Sequence, residues 1–202
     1  MTHINKGKPF PLGSSLTSQG VNFSLVATNA EYVEILLFEK EGSISPKSIL
    51  KLDQNHNTGP YWHAEVKNLN EGCIYAFRVK QKNNAINNNY EKKVLLDPCS
   101  RGITGWGSYK RENALKTQEN TNSCLKSVVC DRKLFNFKDY PRPKHSWEET
   151  IIYELHIKSF TESTDKNESC FKKFLKKIPY LKELGITSIE LLPIFCFDPT
   201  DA

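Results

Sequence analysis

The chain has 202 residues, 38% of them hydrophobic, which is enough for one or two domains with sizeable cores. Its 28 Lys+Arg and 23 Asp+Glu leave a net charge of +5, mild and dispersed, which argues against a nucleic-acid partner. No segment nears the roughly eighteen apolar residues of a membrane span, so no membrane partner is expected. The opening MTHINKGKPFPLG has neither the apolar run of an export signal nor a transit pattern, and the expected location is cytoplasmic.

In chain order, the first half reads as strands. Residues 20–26 alternate apolar with polar, the period of a half-buried strand. Residues 33–38 form a more apolar strand, 61–66 alternate again, and the turn signal Asn70-Glu71-Gly72 precedes a strand at 74–79. Val94-Leu95-Leu96-Asp97-Pro98 closes the set, while the polar tract at 83–89 reads as a loop or hairpin tip. Short strands between turns, without helical periodicity, predict an immunoglobulin-like β-sandwich over 1–105.

Residues 106–147 are polar and weakly periodic, with Val128-Val129 as one short apolar run, and read as a connection packed between domains. Tyr140-Pro141-Arg142-Pro143 is expected to be extended. Over 148–202 the pattern changes to an apolar strand, a loop, an amphipathic helix and a second apolar strand. Phe171, Phe174, Leu175, Ile178, Leu181 and Leu184 share one helix face, and the paired lysines at 172–173 and 176–177 are a solvated face. Pro179 is expected to split or kink this helix, and Gly185 to end it in a left-handed turn.

Cys73, Cys99, Cys124, Cys130, Cys170 and Cys196 form no C-x-x-C, and no His stands at metal-ligand spacing from a pair of them. Without an export signal they read as free thiols, and no metal or cofactor is implied.

Several segments are specific enough to compare. GKPFPLGSSLTSQGVNFSLVATNAEYVEILLFE, YWHAEVKNLNEGCIYAFRV and KVLLDPCSRGITG resemble the N-terminal carbohydrate-binding module, of the glycogen-binding type, that precedes the barrel in isoamylases and bacterial glycogen debranching enzymes. SVVCDRKLFNF resembles that family's linker. WEETIIYELHIKSFT and KKIPYLKELGITSIELLPIFCFD resemble the first strand, first helix and second strand of its (β/α)8 barrel. The family is the debranching branch of glycoside hydrolase family 13.

The resemblance implies retaining hydrolysis of α-1,6 branch points in glycogen or amylopectin. That chemistry needs two carboxyl groups about 5–5.5 Å apart, with environments that separate their pKa values. In this family they lie on later barrel strands, so no residue of this chain receives a catalytic role and no cofactor is implied. Glu154 and His156 lie on the first barrel strand and Glu190 on the second; Glu154 and Glu190 are expected to make interior or interstrand polar contacts, and Asp198 and Asp201 to serve loop polarity, caps or long-range support.

Sugar binding on such modules uses aromatic faces, and the candidates are Tyr61, Trp62, Tyr90 and Trp106. Trp62 opens an alternating strand and reads as packing. Regulatory relatives of the module carry tryptophans in loops where this chain has only Tyr90, within 81–93. Tyr90 is therefore the expected sugar contact, and the expected α-glucan binding is weak.

The expectation is thus the N-terminal part of a debranching enzyme, inactive by itself, with a chain carrying the rest of the barrel as a possible partner. The alternatives are a standalone glucan-binding or interaction module, a decaying gene fragment, and a relative of the glucan branching enzymes.

Overall fold

The structure, a computed structural model, describes residues 3–82, 92–131, 140, 142–161 and 168–195. The backbone divides into two units, Met1–Phe135 and Asn136–Ala202.

The first unit holds two antiparallel sheets. One joins β1 (Ile4–Asn5), β7 (Tyr61–Lys67), β3 (Gly20–Val26) and β2 (Gly13–Leu16) in that order, with β6 (Asn57–Thr58) also on β7. The other runs β5 (Ser48–Leu52), β4 (Ala30–Phe38), β8 (Ile74–Gln81), β10 (Lys126–Val128) and β9 (Gly102–Thr104). Alternation sends Val21, Phe23 and Leu25 of β3 and Trp62, Ala64 and Val66 of β7 inward. They pack with Val33, Ile35 and Leu37 of β4, Leu50 and Leu52 of β5, and Tyr75 and Phe77 of β8. Each large side chain so buried contributes about 1.5–3 kcal/mol of transfer free energy. The expected β-sandwich is present, with β2 and β5 as strands not anticipated from the sequence.

The residues outside this core are also largely covered. On the outer face of the first sheet, Asn22 holds both backbone groups of Lys8: its Oδ1 accepts from Lys8 N at 2.7 Å and its Nδ2 donates to Lys8 O at 3.0 Å. Ser24 Oγ donates to Pro9 O at 2.7 Å, and His63 Nδ1 lies 2.6 Å from Lys6 O, so residues 6–9 form a strap across the face. Gly7 allows the close approach. Its φ is +68°, and a Cβ there would meet Ala64 C and Asn22 Oδ1 at 2.6 Å. The alternating strand at 20–26 is therefore buried on both sides, with its polar face bonded to the strap instead of to water.

The second sheet has an equivalent cover. Leu36, Phe38, Ala76, Val94 and Cys124 form a separate apolar cluster. Asn120 clamps Val94, accepting its N–H at 2.8 Å and donating to its carbonyl at 3.2 Å. Residues 94–98 consequently form no strand, only a bridge between Leu95 and Phe77. The stretch 106–131 is not merely a connection. It contains α1 (Arg111–Leu115) and β10, and β10 pairs with β8, so the expected boundary at 105 falls between two neighbouring strands of one sheet. The cause is polar burial. Lys126 is 1% exposed with its ammonium 4.9 Å from the Phe38 ring centroid, and Ser127 Oγ accepts from Asp97 N.

The second unit is a parallel strand–helix–strand. β11 (Ile152–Leu155) pairs in parallel with β12 (Ser188–Leu191), and between them lie α2 (Ile157–Phe160) and α3 (Cys170–Glu183). Leu155, Ile157, Phe174 and Leu181 form its buried cluster. Ser169 caps α3, its side chain accepting from Lys172 N. At the other end Ile186 N bonds to Leu181 O and Gly185 N to Lys182 O, with Gly185 at φ +86°, the two-bond left-handed stop expected there. Pro179 does not split α3, which is continuous through it. The carbonyl that Pro179 leaves without an N–H is that of Leu175, a residue 63% exposed, where water can take the place of the donor.

Candidate functional site

One end of the sandwich gathers the surface features. There β3 ends at Val26, β7 begins at Tyr61, and Val26 and Tyr61 are register partners. The strap that crosses this sheet continues into Phe10, whose ring centroid lies 4.8 Å from that of Tyr61 with the planes inclined at 58°. Phe10 is 57% and Val26 47% exposed, so the three side chains form an apolar ledge. Beside it, the turn from β3 to β4 and the end of β8 enclose a cavity of about 420 Å³. Leu25, Ala30, Phe77, Val79 and Leu96 give it apolar walls, with Thr28, Asn29 and Gln81 as polar groups. Lys82 N donates to Asn29 O at 2.8 Å at this same end.

The aromatic candidates separate clearly. Trp62 is 2% exposed and its indole N–H donates to Ala27 O at 3.1 Å, so it is a core residue that ties down the β3–β4 turn. Tyr61 is half-buried beneath Phe10. Trp106 is half-buried too, edge-on to Tyr109 at 5.7 Å, in the turn that follows β9. Tyr90 lies outside the described residues, as do the tract at 83–89, Asp198 and Asp201. Phe10 was not legible as a surface ring, because a Phe between two prolines carries no strand periodicity; the proline-rich run was the available signal.

The titratable groups of the sandwich hold structure together. Tyr75 donates to Asp97 Oδ2 at 2.6 Å, and Cys99 N donates to Asp97 Oδ1 at 2.8 Å. Burial pushes the Asp97 carboxyl above the usual carboxylate range, and burial and the Asp97 charge push the Tyr75 hydroxyl up. Lys93 turns its ammonium onto the last carbonyls of α1, those of Asn113, Ala114 and Lys116. Desolvation holds its pKa below the ordinary lysine value. The VLLDP stretch is thus locked at Lys93, Val94, Leu95 and Asp97 in turn, as a structural staple.

In the second unit Glu154 and Glu190 face each other in register on neighbouring strands, exposed on the side away from α3. Among the described residues of this unit nothing covers that face, so the interior contacts expected of them are not made there, and the two stand as register partners on neighbouring strands. His156 caps α2, its Nδ1 accepting from Ser159 N at 3.3 Å. Among the described residues no helix is long and apolar enough to cross a membrane, and Cys73, Cys99, Cys124, Cys130 and Cys170 are free thiols.

Fold and surface define a strapped β-sandwich module followed in sequence by a parallel strand–helix–strand unit. Residues 11–100 match carbohydrate-binding module 48, the isoamylase N-terminal domain, as the resemblance of those segments implied. The glycogen debranching enzyme of Pectobacterium carotovorum subsp. carotovorum (strain PC1) is 30% identical over 207 residues, covering 96% of this chain and 30% of that protein. The enzyme of the same name from Enterobacter sp. (strain 638) is 33% identical over 211 residues, covering 98% of this chain and 31% of its own. The chain therefore spans about 30% of the length of these relatives. In fold, the catalytic module of the glycogen-degrading pneumococcal virulence factor SpuA superposes with a TM-score of 0.69 at 20% identity, over 95% of this chain and 28% of that one. The Group B Streptococcus pullulanase SAP in complex with maltotetraose gives 0.69 at 21% identity, over 93% of this chain and 24% of that one.

Proposed function

We propose that this chain is the N-terminal part of an isoamylase-type debranching enzyme that hydrolyses α-1,6 branch points of glycogen or amylopectin in the cytoplasm. The observation that carries the reading is collinear likeness to glycogen debranching enzymes over 96–98% of the chain. On this reading the sandwich is the glucan-facing module, and β11, α2, α3 and β12 open a (β/α)8 barrel. The parallel pairing of β11 with β12 and the right-handed preference of such crossovers support that assignment. The apolar side chains left open on this unit call for cover by further strand–helix units, whichever chain carries them.

The catalytic carboxylates belong to those further strands. Glu154 and Glu190 take no chemical role, because a carboxylate pair acts only across a bound sugar, with one member held protonated. The 202-residue chain alone releases no reducing ends from amylopectin or pullulan. Release above a heat-killed control overturns this reading.

Glucan binding by the module is weak, millimolar or poorer, since a millimolar constant corresponds to about 4 kcal/mol and few exposed rings contribute. Tyr90→Ala lessens it, and the folded Trp62→Phe variant leaves it nearly unchanged. The closed core of the sandwich favours one second reading, a glucan-binding module that acts without catalysis. Micromolar binding by this chain would raise that reading above the first.

A further inference from the structure

We infer that Phe10, Tyr61 and Val26 form an α-glucan platform on the sandwich, a site additional to Tyr90; the inference rests on the glucan-module reading and deepens it. A glucose unit offers a flat patch of C–H on one face and hydroxyls around its rim. Recognition therefore takes an exposed ring face with donors at its edge. Phe10 supplies the face at 57% exposure, Tyr61 lies 4.8 Å away with a hydroxyl on its rim, and Val26 extends the apolar floor. Two ring planes inclined at 58° follow a curved α-linked chain better than a coplanar strip would.

A single exposed apolar residue needs no explanation, but this ledge is contiguous and its backbone is fixed. The residues immediately before Phe10 are pinned through Lys6, Lys8 and Pro9 by His63, Asn22 and Ser24. Gly7 is confined between Asn22 and the backbone at Ala64 and Glu65. A ring on an already ordered support loses little freedom when a ligand stacks on it.

The test is affinity electrophoresis of the whole chain through gels containing glycogen, with calorimetric titration of maltoheptaose. The variants are Phe10→Ala, Tyr61→Ala, the double variant, Tyr90→Ala and the conservative Phe10→Trp. Phe10→Ala is expected to weaken retardation by about twofold to tenfold, the range of one aromatic contact. The double variant is expected to lower it further and Phe10→Trp to retain it, all with unchanged thermal melts. If Tyr61→Ala loses its melt, Phe10→Ala alone decides, since its ring is exposed. Wild-type retardation in the double variant, with loss only in Tyr90→Ala, overturns the platform and leaves the module reading intact. No retardation of the wild-type chain at any glycogen concentration overturns both.

Discussion

The two units use apolar residues in opposite ways. In the sandwich the strand residues that alternate inward are closed off, with Val21, Val33, Ile35, Ala64, Val66 and Tyr75 all at 0% exposure. In the strand–helix–strand unit Ile152 is 56%, Leu175 63%, Leu184 52% and Ile194 52% exposed, and among the described residues its buried cluster holds Leu155, Ile157, Phe174 and Leu181. Periodicity marks where apolar faces lie. It does not say whether a partner face exists. A sandwich supplies both faces from within itself, whereas two parallel strands and a helix leave one sheet face and two strand edges open.

The sharpest way to break this contrast is to separate the units. A fragment of residues 1–135 is expected to unfold in one cooperative thermal transition. A fragment of 136–202 is expected to bind a hydrophobic dye and aggregate. In the whole chain, proteolysis and hydrogen exchange should report the second unit as the looser one, and equal protection of both would refute the contrast. Within the sandwich, Gly7→Ala should cost about 2–4 kcal/mol in urea unfolding, from a left-handed φ and a Cβ pressed onto backbone. Asn120→Ala should cost about 2–3 kcal/mol by the same measurement, because both backbone groups of Val94 lose their partner at a buried position.

Pro179→Ala restores the N–H missing from α3 and should raise the helicity of the second unit, worth about 1–3 kcal/mol by circular dichroism and melting. Its dye binding should persist, since the deficit is cover and not helix strength. The smallest effect concerns Asp97. Burial raises its carboxyl pKa in the folded state, so the folded chain holds that proton more tightly than the unfolded chain. Its contribution to stability is full below the ordinary carboxylate range and is lost as pH rises through the raised value. Asp97→Asn removes this dependence, so the stability of the variant relative to wild type should rise with pH across that window in urea titrations. A constant difference would exclude the assignment.

Much of the fold was legible where a single physical demand governed the residue. The strands at 20–26 and 61–67, the packing role of Trp62 and the Gly185 stop all followed from alternation or from a positive φ. What was not legible involves polar groups buried with partners far away in sequence. Lys126 and Ser127 hid β10 because their partners, Phe38 and Asp97, lie 88 and 30 positions away along the chain. The straps were invisible for the same reason, since Asn22 and Asn120 look like ordinary surface polarity. Of the site, the role of Tyr61 as a surface candidate was readable, but its pairing with Phe10 depends on a strap that sequence alone does not reveal.

The two asparagine clamps tie the chemical ageing of this protein to its fold. A side-chain amide works at Lys8 and Val94 because it presents an N–H donor and a carbonyl acceptor side by side, as a peptide unit does. Deamidation would turn either one into a carboxylate. It would set an oxygen against Lys8 O at 3.0 Å or Val94 O at 3.2 Å, where an N–H now points. Asn22 and Asn120 are 5% and 3% exposed and fixed at both ends of the amide, which denies the backbone the freedom that such a reaction requires. Once a strap loosens, that protection goes. The damage would then prevent the strap from closing again, and a reversible opening would become a permanent lesion.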